Sequence, residues 1–320
     1  MSVVIDEAAG RAANDAAARP GAGGGHERRD AAAPLAAARW LWAFTRRMAR
    51  EKPLGFAGGV VFVLFLFCGI FADLLAPYGF NQISPLQRMK PPSFAHWFGT
   101  DNLGRDMLSR CLYGAQLSVV IALSAATLAT VISATIGIVS GHLGGRFDMI
   151  VQRFVDAWMS FPDLIILIVV VSVLGPGMPQ IIGTLGLLLG IGGSRIVRGA
   201  VVSVRENTYV HAAQSIGATT GRILWRHILP NVLPPIIVLF TTRVGTVILA
   251  ESGLAFLGLG VPPPAPTWGG MLSGSSRTYM FQGPWLVLAP GLCLTIVVYA
   301  TNVFGDALRD LLDPRMRGSR

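Results

Sequence analysis

The hydrophobic pattern divides most of the chain into long apolar runs separated by short polar segments. Between Arg110 and Arg146 there are 35 consecutive residues without Asp, Glu, Lys or Arg. As a helix this run reaches roughly 50 Å, more than the hydrocarbon thickness of a bilayer. The pattern therefore predicts an all-α membrane protein with six transmembrane helices, at about 54–75, 113–140, 151–174, 178–197, 231–255 and 285–305.

The third predicted helix is unusual because Asp156, Pro162 and Asp163 lie in its first half. The apolar stretch that follows Asp163 is too short to cross a bilayer by itself. We therefore expect the segment "VQRFVDAWMSFPD" to form the inner part of a single helix that Pro162 kinks.

Composition and charge support a membrane protein and exclude other classes. The chain is 52% hydrophobic and 13% charged, with a net charge of +9. The basic residues gather at the ends of apolar runs, whereas a nucleic-acid-binding protein needs a basic face on a soluble domain. With the N-terminus inside, twenty basic residues fall in inner segments and five in outer ones, which predicts that both termini are cytoplasmic.

The composition also predicts the domain organisation. Residues 1–38 are rich in Ala and Gly and are expected to be a disordered cytoplasmic tail. Residues 39–111 are expected to contain an interfacial helix ("RWLWAFTRRMAREK"), the first transmembrane helix and an outer loop. Residues 112–316 are expected to form the main transmembrane domain.

One amphipathic basic segment, 206–230, interrupts the apolar runs. It is predicted to form two short helices hinged near Gly217, with Pro230 starting the fifth transmembrane helix. Ala212 and Ala213 would keep one surface low enough for another protein's backbone to approach, and Tyr209 would provide an aromatic anchor. From the residues alone, an amphipathic loop lying on the membrane is an equal alternative.

The run "HAAQSIGATTGRILWRHILP" resembles the EAA signature of ABC importer permeases. Ala212, Ala213, Gly217, Leu229 and Pro230 match it in type and spacing, whereas a histidine (211) stands at its acidic first position. The resemblance implies a cytoplasmic coupling helix that docks onto an ATPase subunit. The candidate ATPase-coupling residues are Glu206, Tyr209, His211, Ala212, Ala213, Gln214, Gly217, Ala218 and Arg222.

Further stretches are similar to the C-type subunit of dipeptide, oligopeptide and nickel permeases: "FGTDNLGRDMLSRCLYGAQLS", "GGRFDMIVQRFVDAWMSFPDLI", "ESGLAFLGLGVPPPAPTWGGML" and "GDALRDLLDPRMR". Together the similarity covers nearly everything after residue 50. It implies a type I ABC importer permease fold in the bacterial inner membrane. It also implies a second homologous permease, two ABC ATPases and an extracytoplasmic substrate-binding protein as partners. The implied cargo is a di- or oligopeptide, with nickel or another small solute as the alternative.

Two charged residues in the fifth predicted helix are candidates for an intramembrane function. Arg243 lies near its middle, where a charge is costly. Glu251 is eight residues further on, about 12 Å along a helix, and thus too far for a direct ion pair. We expect Arg243 to have another partner or water, and Glu251 either to face solvent or to brace the following "VPPPAPTWG" segment, predicted to be a polyproline-like strap.

Several activities are excluded or less well supported by what the sequence lacks. Lys52 and Lys90 both precede proline, so no G-x-x-x-x-G-K-[ST] phosphate loop exists. We therefore expect that this chain cannot hydrolyse ATP by itself, and we expect no metal site. The resemblance to importer permeases implies a non-catalytic subunit with no bound cofactor, with ATP and Mg²⁺ held by partner ATPases. A stand-alone secondary transporter is less well supported, because no inverted repeat is evident and Arg243 is nearly alone as a central charge.

Overall fold

The computed structural model describes residues 42–312, so the predicted disordered tail at 1–38 lies outside the described residues. Within this range the chain is helical and contains a single isolated β-bridge, between Thr100 and Asp106. The helices are α1 (42–51), α2 (Pro53–Ile70), α3 (Ala72–Leu75), α4 (Met107–Leu143), α5 (Gly145–Met159), α6 (Asp163–Leu174), α7 (Met178–Arg205), α8 (Thr208–Ser215), α9 (Thr220–Ile223), α10 (Leu229–Phe256), α11 (Trp268–Leu272), α12 (Ser275–Tyr279) and α13 (Trp285–Leu312), with a 3₁₀ turn at Pro85–Gln87 and a π-helical turn at Leu224–Ile228.

The predicted all-α membrane fold is confirmed. Five helical segments of the described chain are long and apolar enough to cross a bilayer: α2, α4, α7, α13 and the run Thr220–Phe256, which ends with α10. The bent pair α5 and α6 brings the number to six if it is counted as one span.

The third span differs from the single kinked helix expected at 151–174. Helix α5 ends at Met159, and α6 starts at Asp163 after a bend of 80°. Pro162 cannot donate a backbone hydrogen bond and disfavours helical geometry at the residue before it, so the helix breaks here. Helix α6 has 12 residues, about 18 Å, and is too short to cross the hydrocarbon core unaided.

The long helices alternate in direction, so the bundle has two distinct ends. Helix α4 starts and α10 finishes at one end, together with loops 76–106 and 257–284; we call this the loop end. At the other end, α7 leads into α8; we call this the α8 end.

The start of α4 is capped by Asp106. The Asp106 carboxylate accepts hydrogen bonds from the backbone N–H and the hydroxyl of Ser109, both at 2.8 Å. Asp101 instead orders the preceding loop, where one of its oxygens accepts the backbone N–H groups of Leu103 and Arg105.

Helices α4 and α7 pack at very short range through small residues. The Ser133 hydroxyl donates a 2.7 Å hydrogen bond to the Gly190 carbonyl across the interface. A Cβ added at Gly137 would lie 2.7 Å from the Ser194 carbonyl oxygen, and one at Gly190 would lie 2.8 Å from the Ile132 Cβ. Small residues allow backbones to approach in a membrane, where association depends on packing and hydrogen bonds.

Helix α1 belongs to a separate compact unit that ends at Glu51. Within it the Arg46 guanidinium lies 5.2 Å from the centroid of the Trp42 ring, and Arg47 forms a 3.1 Å ion pair with Glu51. The predicted interfacial role of this helix stays a prediction.

The α4–α7 contact predicts a strong position dependence for glycine substitutions. Gly137→Ala should destabilise the folded protein by about 1–3 kcal/mol, because the added methyl group meets the backbone of α7. Gly199→Ala is the matched control, since Gly199 is exposed on α7 and a Cβ there meets nothing within 4 Å. Both substitutions replace glycine by alanine within a helix, so both gain the same helix propensity and differ only in the contact that the added methyl group makes. The thermal unfolding midpoint of the detergent-solubilised protein measures the difference, and equal midpoints would contradict the close contact.

Candidate coupling surface and intramembrane charges

Helix α8 is an eight-residue amphipathic helix with one buried and one exposed face. Val210 is fully buried in a cluster that includes Val197 and Val201 of α7 and Ile228 of the π-helical turn. Tyr209, His211, Ala212 and Gln214 are exposed. The helix therefore presents a polar face with one aromatic ring, while its apolar face fixes it to the bundle.

The two adjacent alanines of the signature-like run lie on different faces of α8. Ala212 is exposed, as the docking hypothesis requires. Ala213 is only 7% exposed, so the expectation that it contributes to the low outer surface is wrong. Ala218 is half-buried beside the same cluster that holds Val210. Ala213 and Ala218 thus position the helix, whereas Ala212 is free to contact a partner.

Gly217 terminates α8 in the way the sequence predicted. Its φ is +81°, a left-handed conformation that glycine adopts without a Cβ penalty. Its N–H donates to the Gln214 carbonyl at 2.9 Å, and the Ala218 N–H donates to the Ala213 carbonyl at 3.0 Å. These bonds satisfy carbonyls at the helix end and turn the chain towards α9.

The second short helix is continuous with the fifth transmembrane helix, which corrects the expected start at Pro230. Thr219 caps α9, its hydroxyl accepting the Arg222 N–H at 3.4 Å. The π-helical turn Leu224–Ile228 then joins α9 directly to α10. Pro230 lies two residues after this π-helical turn, inside the continuous run Thr220–Phe256, where it cannot donate a backbone hydrogen bond. Arg222 itself is exposed.

Two large apolar side chains beside α8 were missed by the sequence reasoning. Ile216 is 86% exposed and Trp225 is 74% exposed. Ile216 lies between Ser215 and Gly217, and this apolar residue in a polar stretch was the available signal. Trp225 follows Ile223 and Leu224, so its exposure had no such signal. With Tyr209 they make the exposed surface of this segment more apolar than the small-residue pattern indicated.

Glu206 and Arg205 connect the start of α8 to the end of α4. The Arg205 Nη1 donates to the carbonyls of Gly141 and His142 at 3.3 and 3.2 Å, satisfying the C-terminal end of α4. Its Nη2 donates to the Glu206 carboxylate at 3.2 Å. The His211 Nε2 lies 3.9 Å from the same carboxylate, so an acidic side chain stands beside the histidine that replaces the signature's acidic residue.

Helix α5 is attached to α7 by two arginine–aspartate pairs at the α8 end. The Arg198 guanidinium forms two hydrogen bonds to Asp148, at 2.6 and 2.5 Å, and Arg195 pairs with Asp156. A bidentate arginine–carboxylate pair has a defined geometry and is stronger than a neutral hydrogen bond. Asp156 therefore lies on an amphipathic helix and contacts α7 through Arg195.

Arg243 is half-buried in α10 and faces α7. A Cβ added at Gly193 would lie 3.2 Å from its Nη2, so the glycine leaves room for the guanidinium. Its Nε is buried and has no hydrogen-bond partner among residues 42–312. As expected, Glu251 is not its partner.

Glu251 is fully buried near the loop end, so the possibility that it faces solvent is wrong. Its Oε2 accepts a weak 3.4 Å hydrogen bond from the Ser252 hydroxyl, and its Oε1 is buried without a partner in the described chain. The following segment, 258–267, folds into turns and bends instead of the predicted polyproline-like strap. The bracing role of Glu251 stays a prediction.

Comparison with known proteins places these features in one family. Residues 133–318 match the binding-protein-dependent transport system inner membrane component, and residues 41–92 match the N-terminal transmembrane domain of oligopeptide transport permease C. The chain belongs to this family. It is a permease subunit of an ABC importer.

Individual relatives extend over nearly the whole permease. It is 39% identical to the dipeptide transport system permease protein of Alkalihalophilus pseudofirmus, covering 87% of this chain and 90% of the relative. It is also 39% identical to the oligopeptide transport system permease protein of Bacillus subtilis, covering 87% and 90%.

A solved structure supports the fold independently. The permease matches a chain of the MetNI methionine ABC transporter in an inward-facing conformation with a TM-score of 0.53 and 17% identity, covering 65% of this permease and 98% of that chain. Members of the family work with ATPase and binding-protein partners in the inner membrane, and the apolar helices of this permease are those of a multi-pass protein.

Proposed function

We propose that this chain is one of the two permease subunits of an ATP-driven importer for di- or oligopeptides. The observation that carries the proposal is the 39% identity, over 87% of the chain, to permeases named for dipeptide and oligopeptide transport. A third relative, the probable D,D-dipeptide transport system permease of Escherichia coli, is 37% identical over 85% of the chain and supports the same cargo. A peptide importer is therefore favoured over a nickel importer.

The proposed assembly pairs this permease with a second homologous permease, two ABC ATPases and an extracytoplasmic binding protein. ATP and Mg²⁺ are bound by the ATPases, and this chain holds no cofactor. Its own contribution is mechanical, and α8 is the element that contacts an ATPase. The exposed Tyr209, Ala212 and Gln214 form the contact, joined by His211 and Ile216.

The packing of α8 explains how movement of an ATPase would reach the membrane. Val210 is buried among residues of α7 and of the segment that starts α10. Arg205 joins the same region to the end of α4. A displacement of α8 is therefore transmitted to α4, α7 and α10 together, because a packed cluster moves as a unit and does not deform continuously.

The proposed orientation puts the α8 end in the cytoplasm and the loop end outside. The excess of arginine in the segments at the α8 end supports it, since positive residues are retained on the cytoplasmic side. ATP is available in the cytoplasm, so a helix that contacts an ATPase must lie on the cytoplasmic side of the membrane.

The assembly proposal predicts which preparation hydrolyses ATP. The purified chain alone should show no ATP turnover, because it has no phosphate-binding loop. Co-expressed with its cognate subunits, it should co-purify with two ATPases, and ATP turnover should rise when peptide-loaded binding protein is added. Phosphate release measured on both preparations checks this. Turnover by the isolated chain, or an absence of ATPase subunits in the purified complex, would contradict the proposal.

The orientation predicts opposite accessibility for two exposed positions. In a background with alanine at Cys68, Cys111 and Cys293, a cysteine at Thr220 should react with a membrane-impermeant maleimide only after the cells are opened. A cysteine at Ser93, in the loop-end region, should react in intact cells. Gel-shift labelling reads both out, and the reverse pattern would put the α8 end outside.

The turn at Gly217 predicts a loss of coupling when it is replaced by a branched residue. Gly217→Val should cost about 1–2 kcal/mol in the left-handed conformation and misdirect α8. Peptide uptake should fall sharply at normal membrane abundance, because the site is outside the hydrocarbon region. Gly217→Asn should keep most of the uptake, since asparagine tolerates this conformation.

Gly221→Val is the matched control for the hinge. It makes the same substitution four residues away, on the exposed surface of α9, where φ is not positive and a Cβ meets nothing within 4 Å. Uptake, membrane abundance and ATPase co-purification are measured side by side. Equal uptake by Gly217→Val and the wild type would show that the turn is not needed for coupling.

A further inference from the structure

A cavity of about 360 Å³ lies at the loop end, away from α8 and its contacts. Its walls are the start of α4, the turns of segment 258–267, α11 and the residues that lead into α12. This volume is within the range of cavities that bind small molecules. The cavity belongs to this chain alone and does not need a partner subunit to form.

Two arginines and one aspartate line the cavity. The Asp101 Oδ2 is bound by the Arg105 Nε at 2.6 Å and lies 3.8 Å from the Arg110 Nε. Its Oδ1 already accepts two backbone N–H groups. One carboxylate therefore faces two guanidinium groups, and the cavity has a surplus of positive charge.

The arginines are held in place but retain hydrogen-bonding capacity. The Arg110 Nη1 donates to the Phe80 carbonyl at 3.1 Å, and the Arg105 Nη1 makes only a long 3.4 Å bond to Asn81. Neither Nη2 has a hydrogen-bond partner within residues 42–312. Arg110 is 8% exposed, so its position is fixed by the fold. A planar guanidinium with free donors is suited to a carboxylate.

The opposite wall adds neutral polar groups and no exposed acid. Thr267, Ser273 and Ser276 line it, and the Ser273 hydroxyl donates to the Gly270 carbonyl at 2.8 Å. Glu251 is buried and does not line the cavity. Asp101 is thus the only acidic residue on the described wall, and both of its oxygens already accept hydrogen bonds from Leu103 and Arg105.

We propose that this cavity binds a carboxylate group on the extracytoplasmic side of the permease. The proposal rests on the proposed function for its orientation and for its two sources of ligand. The carboxylate comes either from the peptide entering the importer or from an acidic side chain of the docked binding protein. In both cases the guanidinium groups of Arg105 and Arg110 are the recognising donors.

Two substitutions should shift the affinity in opposite directions, which misfolding cannot do. Arg105→Gln should weaken carboxylate binding at least about tenfold, because a charge-assisted hydrogen bond is lost. Asp101→Asn should tighten it, since the competing negative charge is removed while the amide oxygen can still accept the loop N–H groups. Arg88→Gln is the matched control. Arg88 is a loop-end arginine that donates to the Asn102 carbonyl and does not line the cavity.

The first measurement uses the complete importer in nanodiscs without binding protein. Alanyl-alanine is titrated against the thermal unfolding midpoint of the complex, with alaninamide as the ligand that lacks a carboxylate. The second measurement is the affinity of the immobilised importer for its binding protein. If the two cavity variants change the affinity for alanyl-alanine, the peptide is the source of the carboxylate. If they change only the affinity for the binding protein, an acidic side chain of that protein is the source.

The proposal is overturned if Arg105→Gln and Asp101→Asn do not have opposite effects on the affinity for alanyl-alanine or on the affinity for the binding protein. It is also overturned if Arg88→Gln has the same effect as Arg105→Gln. That failure is distinguishable from a failure of the proposed function. In the latter case the ATPases do not co-purify with the unmodified chain, whereas here the complex assembles normally.

Discussion

The close packing of α4 on α7 is the contact on which the rest of the structure depends. Helices in lipid gain no hydrophobic free energy by associating, so they must approach closely enough for packing and hydrogen bonds to hold them. Small residues at Ser133, Gly137 and Gly190 permit that approach. Helix α4 is 37 residues long, and it extends from the capped loop end to the α8 end. It is therefore the scaffold that relates the two ends of the bundle.

The α8 end is organised by polar contacts that this scaffold positions. Arg205 satisfies the last carbonyls of α4, and Arg198 holds Asp148 of α5 against α7. Val210 fixes α8 to the same region through apolar packing. Consequently the exposed face of α8 is presented by a braced helix, which is what transmission of force between subunits requires. The loop end uses different means, since a loop ordered by Asp101 and the turns of 258–267 enclose a basic cavity.

Much of the fold could be predicted from the order of apolar and polar residues. Five of the predicted spans overlap continuous helices, because each apolar run can satisfy its backbone only as a helix in lipid. The third span was predicted as a single kinked helix, and its sharper bend could not be predicted. Pro162 predicted a kink, but the 80° bend depends on how α5 is held against α7 by residues about 40–50 positions away in the chain.

The candidate coupling surface shows most clearly which features follow from the sequence and which depend on tertiary structure. The sequence by itself determined the membrane class, the left-handed turn at Gly217 and the resemblance to importer permeases, since these follow from local composition and residue type. Only the tertiary structure decided that Ala212 is exposed whereas its neighbour Ala213 is buried, and that Arg105 and Arg110 share one carboxylate. Local sequence sets the free energy of forming a helix and placing it in lipid. Which face a helix presents, and which charges meet, depends on contacts between elements that are distant in the chain.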